Sequence, residues 1–184
     1  MTTLCLILGV TFPILPRIFT VSSRCFISSA RFSVELMRLG RKTSLMSSIE
    51  EVMKLEGIVL IDMPGTLNAV NLDLLYKVAD LAVVPISYDF DTIDATGLFI
   101  KVVRKMKDIK MIFLPNRINS TENRADEMKQ REETVKILGR IGKVTPRIKQ
   151  SVVIKRYSTV SPLDKYQKAA VEHAFDAIVE QIKL

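Results

Sequence analysis

Residues 57–66 read Gly57-Ile58-Val59-Leu60-Ile61-Asp62-Met63-Pro64-Gly65-Thr66. Four consecutive aliphatic residues, rich in β-branched side chains, predict a strand buried on both faces of a parallel sheet. A carboxylate closes the run, and Pro64-Gly65 follows at once as a turn signal. In an open α/β sheet, ligands gather beyond the carboxyl ends of the strands. Asp62 therefore stands where a metal or a phosphate would be met.

The neighbouring segments repeat the theme. Asp80-Leu81-Ala82-Val83-Val84-Pro85-Ile86 and Lys110-Met111-Ile112-Phe113-Leu114 predict a second and a third strand, stopped at Pro85 and at Pro115-Asn116-Arg117. Between them lie segments with apolar residues at three- and four-residue spacing, which is one face of a helix. A short helix is expected from Ser47 or Ser48 through Lys54. Leu72, Leu75, Val78 and Ala79 mark the next. A helix over Thr92–Lys107 would turn Ile93, Ile100, Val103 and Met106 inward. Asn123–Leu138 reads as a charged amphipathic helix, and Lys143–Tyr157 as mixed strand and loop. The chain closes with a helix over Asp164–Ile182, with Tyr166, Ala170, Ala174, Ile178 and Ile182 on one side. Strands alternating with helices of this length mean βαβ units and a parallel sheet flanked by helices.

Bulk composition narrows the class. The chain has 184 residues, suited to one domain, and is 48% hydrophobic and 26% charged, so it can bury a core. Formal net charge is +7, and the excess is local: residues 101–156 hold sixteen Lys/Arg against six Asp/Glu. A basic second half suits nucleic acid, phosphate ligands or an acidic partner; a merely solvated surface is the plain alternative. Cys5 and Cys25 match no metal spacing or disulfide framework, and His173 is the one histidine, placed on an amphipathic helix. These counts argue against Cys–His catalysis and a His-built zinc site. Asp89, Asp91 and Asp94 lack the glycine turn and closing Glu of a calcium loop, and Asp91 is expected to cap the Thr92 helix.

Residues 1–34 contain no Asp or Glu, yet carry Arg17, Arg24, Arg31, an apolar run from Leu4 to Val10 and a Ser-rich tract. A signal peptide, a transit peptide, a non-native or remnant segment, and an ordinary strand and loop all fit that composition. Pro13, Pro16 and Arg17 stop the apolar run well short of the ~20 residues of a membrane span. We divide the chain into an atypical segment, 1–46, non-native or poorly packed, whose residues 1–34 are expected to pack poorly or to form only an improvised edge strand, and a regular α/β portion, 47–184.

In order and spacing, the Ile61–Thr66 run, Ala79-Asp80-Leu81-Ala82-Val83-Val84-Pro85, Phe113-Leu114-Pro115-Asn116-Arg117 and Val144-Thr145-Pro146-Arg147-Ile148 resemble the C-terminal portion of the ParA/MinD family of deviant-Walker ATPases, on its partition (ParA) branch. The resemblance implies a three-layer, P-loop NTPase-like α/β fold, here incomplete. It implies ATP and Mg²⁺ as cofactors. Asp62 would be the Walker B carboxylate near Mg²⁺, acting through water, and Gly65 and Thr66 would belong to the switch loop that senses the γ-phosphate. Asn116, Arg117 and Pro146 would hold the adenine. Arg147, Lys149, Lys155 and Arg156, with Arg140 and Lys143 nearby, would contact DNA without sequence preference. A homodimer, a ParB-like partner and a cytoplasmic location follow from the same resemblance.

One departure governs the functional expectation. The family's Gly-rich loop, whose amides and lysine neutralise phosphates, has no counterpart after the Leu4–Val10 run, where Thr11-Phe12-Pro13-Ile14-Leu15-Pro16 stands instead. Gly40-Arg41-Lys42-Thr43-Ser44 has one glycine and follows no buried strand, and reads as a basic loop. Phosphoryl transfer depends on positioning and charge stabilisation. The expectation is a truncated or degenerate partition ATPase without turnover, or else a non-catalytic DNA-binding and interaction module. The acidic face of the last helix, Glu172, Asp176 and Glu180, argues against binding to anionic lipid.

Overall fold

A computed structural model describes residues 2–8, 17–21, 35–38, 49–50, 53–54, 57–63, 72–119, 125–156 and 162–182; the first three of these segments, 57–60, 62 and 72 are described by backbone alone. Its strands are β1 (Thr2–Leu8), β2 (Arg17–Val21), β3 (Glu35–Arg38), β4 (Gly57–Met63), β5 (Leu81–Ile86), β6 (Lys110–Pro115) and β7 (Lys143–Val144). Its helices are α1 (Leu72–Val78), α2 (Phe90–Arg104), α3 (Ala125–Gly139), α4 (Val152–Lys155) and α5 (Lys165–Val179). The chain is an α/β protein in which helices alternate with parallel strands. It divides into two compact units, residues 1–83 with 99–110 and 182–184, and residues 84–98 with 111–181.

In the first unit the strand order is β3-β2-β4-β1-β5. β1 lies parallel to β4, from Thr2 opposite Gly57 to Leu8 opposite Met63, and parallel to β5, with Cys5 opposite Leu81. The apolar run at the start of the chain is thus an inner strand, not the improvised edge expected of it. Its ladder to β4 runs the whole strand, and its ladder to β5 covers Cys5–Ile7. β2 pairs antiparallel with the other side of β4, and β3 antiparallel with β2. The sheet is therefore parallel at its centre and antiparallel at one margin. Ile61 and Met63 of β4 are buried, as are Leu75, Tyr76 and Ala79 at α1, and Phe99, Ile100 and Val103 on α2. Tyr76 and Phe99 meet edge to face at 5.9 Å, an arrangement that aromatic quadrupoles favour. The Lys107 Nζ donates to the Ala79 carbonyl at 2.8 Å and lies 3.9 Å from Asp80, closing the end of α1.

The second unit contains the order β5-β6-β7, with β7 parallel to β6 through Ile112 opposite Lys143 and Phe113 opposite Val144. Its core is Ile86, Met111–Leu114, Leu138, Ile148, Val171, Ala174 and Ala177. Gly142 lets the strand that becomes β7 approach β6: a Cβ there would stand 2.2 Å from the Met111 carbonyl oxygen. The buried face of α5 carries Gln167, Val171, Ala174 and Ala177, whereas Tyr166 is 65% exposed and Ala170 is exposed. That corrects the face read from the sequence. Likewise Met106 lies past the end of α2 and is 38% exposed, and Thr96 and Phe99 take inward places.

Candidate functional site

Backbone bonds hold the carboxyl end of β6 in place. The Asn116 N–H donates to the Ile86 carbonyl at the end of β5 (2.8 Å), and Ile148 N–H donates to the Pro115 carbonyl (2.8 Å). Thr145 N–H donates to Phe113 (2.9 Å), Ile118 N–H to Ile148 (3.1 Å) and Gln150 N–H to Ile118 (3.0 Å). Residues 145–150 therefore run beside 113–118. The ladder brings Asn116-Arg117 and Pro146-Arg147 to the same strand ends. The Asn116 Oδ1 accepts the Arg117 backbone N–H at 2.9 Å. Arg117 has φ 57°, the left-handed region that costs a non-glycine residue roughly 1–2 kcal/mol. Asn116 is half-buried, Arg117, Pro146 and Arg147 are exposed, and Thr145 is buried with its hydroxyl donating to the Pro146 carbonyl at 3.1 Å.

Two residues that the sequence reading passed over join this end of the unit. Tyr88 stands two positions beyond β5, and the Arg131 guanidinium of α3 lies 5.7 Å from its ring centroid, within cation–π range. Burial raises the Tyr88 hydroxyl above its usual pKa, and the charges of Arg131 and Arg147 oppose that rise. A tyrosine just past the end of a parallel strand is the local signal that could have pointed to it. Arg131, 43 positions later in the chain, offers no such signal.

Ahead of α2, the N-cap falls on Asp89 rather than Asp91. The Asp89 Oδ1 accepts the Thr92 N–H at 2.9 Å, Oδ2 accepts the Thr92 hydroxyl at 3.0 Å, and the Ser87 hydroxyl also donates to Oδ2. The Ser87 hydrogen bond, then those from Thr92, hold the carboxyl below its usual pKa. The helix starts at Phe90, two residues earlier than the sequence suggested, so Asp91 sits in its first turn.

The Asp62 backbone lies on β4, opposite Ile7 of β1 and Arg17 of β2, one residue before the strand ends. Its side chain, and Pro64, Gly65 and Thr66 entirely, lie outside the described residues, as do Gly40–Ser44 and Thr11–Pro16. Among the described residues no three His, Cys, Asp or Glu side chains gather as metal ligands. No described helix is long and apolar enough to cross a membrane.

The expected DNA residues fall on one stretch around β7 and α4. Arg140, Arg147, Lys149, Lys155 and Arg156 are exposed, while Lys143 pairs with Glu180 at 3.0 Å and is only half-exposed. α4 is capped by Ser151, whose Oγ accepts the Val153 N–H at 3.1 Å, and Arg156 is its C-cap. The Gln167 side chain donates to the Val153 carbonyl at 3.3 Å and ties α4 to α5. His173 is exposed on α5.

No protein family matches the sequence, and no curated protein does. Among solved structures, the chain is similar to the MinD cell division protein of Aquifex aeolicus, with a TM-score of 0.46 and 17% identity, over 76% of this chain and 60% of that one. The chain thus spans less than two thirds of that protein's length.

Proposed function

We propose that this chain is a ParA/MinD-like partition protein that recognises an adenine base at the ends of β5 and β6, contacts DNA phosphates around β7 and α4, and does not by itself hydrolyse ATP. The observation that carries the reading is the ladder that sets Asn116-Arg117 beside Pro146-Arg147. Asn116 and Arg117 offer amide and guanidinium donors at strand ends, where ligands of open α/β sheets bind. Tyr88 and Arg131 add an aromatic and cationic wall. These residues fit the base end of ATP. For the phosphate end the sequence supplies no Gly-rich Lys-Thr loop. ATP would supply a triphosphate and Mg²⁺ its countercharge, and Asp62 is the residue we assign to that ion.

Calorimetric titration with ADP and ATP tests the base site. Base contacts alone support roughly millimolar affinity, and Asn116→Ala should abolish it. Turnover above background that disappears in Asp62→Ala would overturn the non-hydrolytic part of the proposal.

A second reading, a non-catalytic DNA-binding module, is favoured by the exposure of Arg147, Lys149, Lys155 and Arg156, none of which is ion-paired among the described residues. Each neutralised phosphate contributes a slope of roughly −0.9 in log affinity against log salt. Anisotropy titration with a DNA duplex at several salt concentrations should give a steep slope. Lys155→Glu with Arg156→Glu should lower both slope and affinity; no change in either removes this patch from the DNA surface.

A further inference from the structure

Three features at the carboxyl ends of β5 and β6, all within the second unit, call for one kind of ligand. The first is a ring paired with a guanidinium. Tyr88 and Arg131 are both half-buried, and the Arg131 Cζ stands 5.7 Å from the Tyr88 ring centroid. Aromatic rings and arginine planes are the surfaces on which unpaired nucleobases stack.

The second feature is an acceptor without a donor. Glu127 lies one turn before Arg131 on the same face of α3. Its Oε2 is buried and accepts no hydrogen bond among the described residues. A buried acceptor left unmade costs free energy, so a ligand that brings a hydroxyl or amine donor gains by reaching it. The third feature is a row of single cations. Residues 145–150 run beside 113–118, with Lys149 bridged to Ile118. Arg117, Arg147 and Lys149 are exposed there, and buried Ile148 separates the last two. A triphosphate concentrates its charge at one point, whereas a polynucleotide carries one negative charge per nucleotide. Spaced single cations match the second.

We propose that this end of the second unit binds single-stranded RNA, holding one base at Asn116 and stacking its neighbour on the Tyr88–Arg131 pair. A ribose 2′-hydroxyl donates to Glu127 Oε2, and Arg117, Arg147 and Lys149 take the backbone phosphates. The strand must be unpaired, because a duplex leaves its bases stacked on each other. DNA of the same sequence lacks the 2′-hydroxyl and leaves Glu127 unsatisfied. An inorganic anion brings neither a ring face nor a donor. The inference rests on the base site at Asn116 and is separate from the duplex surface that continues to Lys155 and Arg156.

Fluorescence anisotropy of the full chain with a labelled adenine-rich oligoribonucleotide of about eight nucleotides tests it, beside single-stranded DNA of the same sequence and a DNA duplex. RNA should bind roughly tenfold tighter than the single-stranded DNA, the contribution of one hydrogen bond to a charged group. Tyr88→Leu should weaken RNA binding roughly tenfold, and Tyr88→Phe, which keeps the ring, should not. Arg131→Ala reads the same stacking surface from α3, and circular dichroism checks the fold of each variant. Glu127→Ala should remove the preference for RNA over DNA. Lys155→Glu with Arg156→Glu should lower duplex binding yet keep that preference. Equal affinity for RNA and single-stranded DNA, or RNA binding unmoved by both Tyr88→Leu and Arg131→Ala, overturns the inference. Calorimetry with ADP separates its failure from that of the base site. ADP binding that needs Asn116, with no RNA bound, overturns this inference alone, whereas Asn116→Ala without effect on either ligand overturns both.

Discussion

Single residues carry strain and spacing that substitution can read out. Arg117 is held at φ 57°, so Arg117→Val, which brings a β-branched side chain into the left-handed region, should lose roughly 1–3 kcal/mol in urea unfolding. Arg117→Gly should be near neutral in stability, because relief of strain offsets the added freedom of the unfolded chain. Gly142 and Gly97 separate in the same assay. Gly142→Ala forces a methyl against the Met111 carbonyl and should cost about 1–3 kcal/mol. Gly97→Ala, inside α2 where an added methyl meets nothing within 4 Å, should instead stabilise the chain by up to about 1 kcal/mol. The sequence made Asn116 and Arg117 visible as the residues after a strand-ending proline, because strand ends are local events. It could not show Tyr88 over Arg131, since two residues so far apart meet only through the order of the strands between them.

Helix caps and faces belong to the scale of the element. Asp89 holds the first turn of α2 through Ser87 and Thr92, so Asp89→Ala should cost about 1 kcal/mol at pH 7. Those hydrogen bonds depress its carboxyl pKa below the unfolded value of about 3.9. Their contribution is therefore fully present above that value and is lost as pH falls through the lower folded value. The stability gap between wild type and Asp89→Ala, measured by thermal melting, should narrow below about pH 4. Asp164 caps α5 in a reciprocal box with Gln167, and Asp164→Ala should cost a similar amount. The strands at 57–63, 81–86 and 110–115 were legible because unbroken β-branched and aliphatic runs, bounded by turn residues, have few other uses. The cap was misplaced because three aspartates compete within six residues and only the geometry of Ser87 and Thr92 decides among them. The face of α5 was misread for a simpler reason. Positions four apart drift about 40° per step on a helix, so Tyr166, Ala170, Ala174, Ile178 and Ile182 sweep round it instead of lining one side.

At the scale of the whole chain, β1 is the element that sequence reasoning placed wrongly. Thr2–Leu8 has no local turn or alternation to say which strands it joins, and its partners lie far along the chain. Because it is paired on both sides, removing residues 1–46 should expose the edges of β4 and β5 to association. A chain beginning at residue 47 should aggregate on expression or lose cooperative unfolding by circular dichroism. The same strand has a consequence during synthesis. Thr2 leaves the ribosome about 55 residues before its partner Gly57, and Leu81, opposite Cys5, emerges later still. At roughly 5–20 residues per second, an apolar strand waits several seconds with no ladder to join. The nascent chain is then a substrate for whatever shields hydrophobic segments in the cell, and its yield depends on translation speed as much as on the stability of the finished fold.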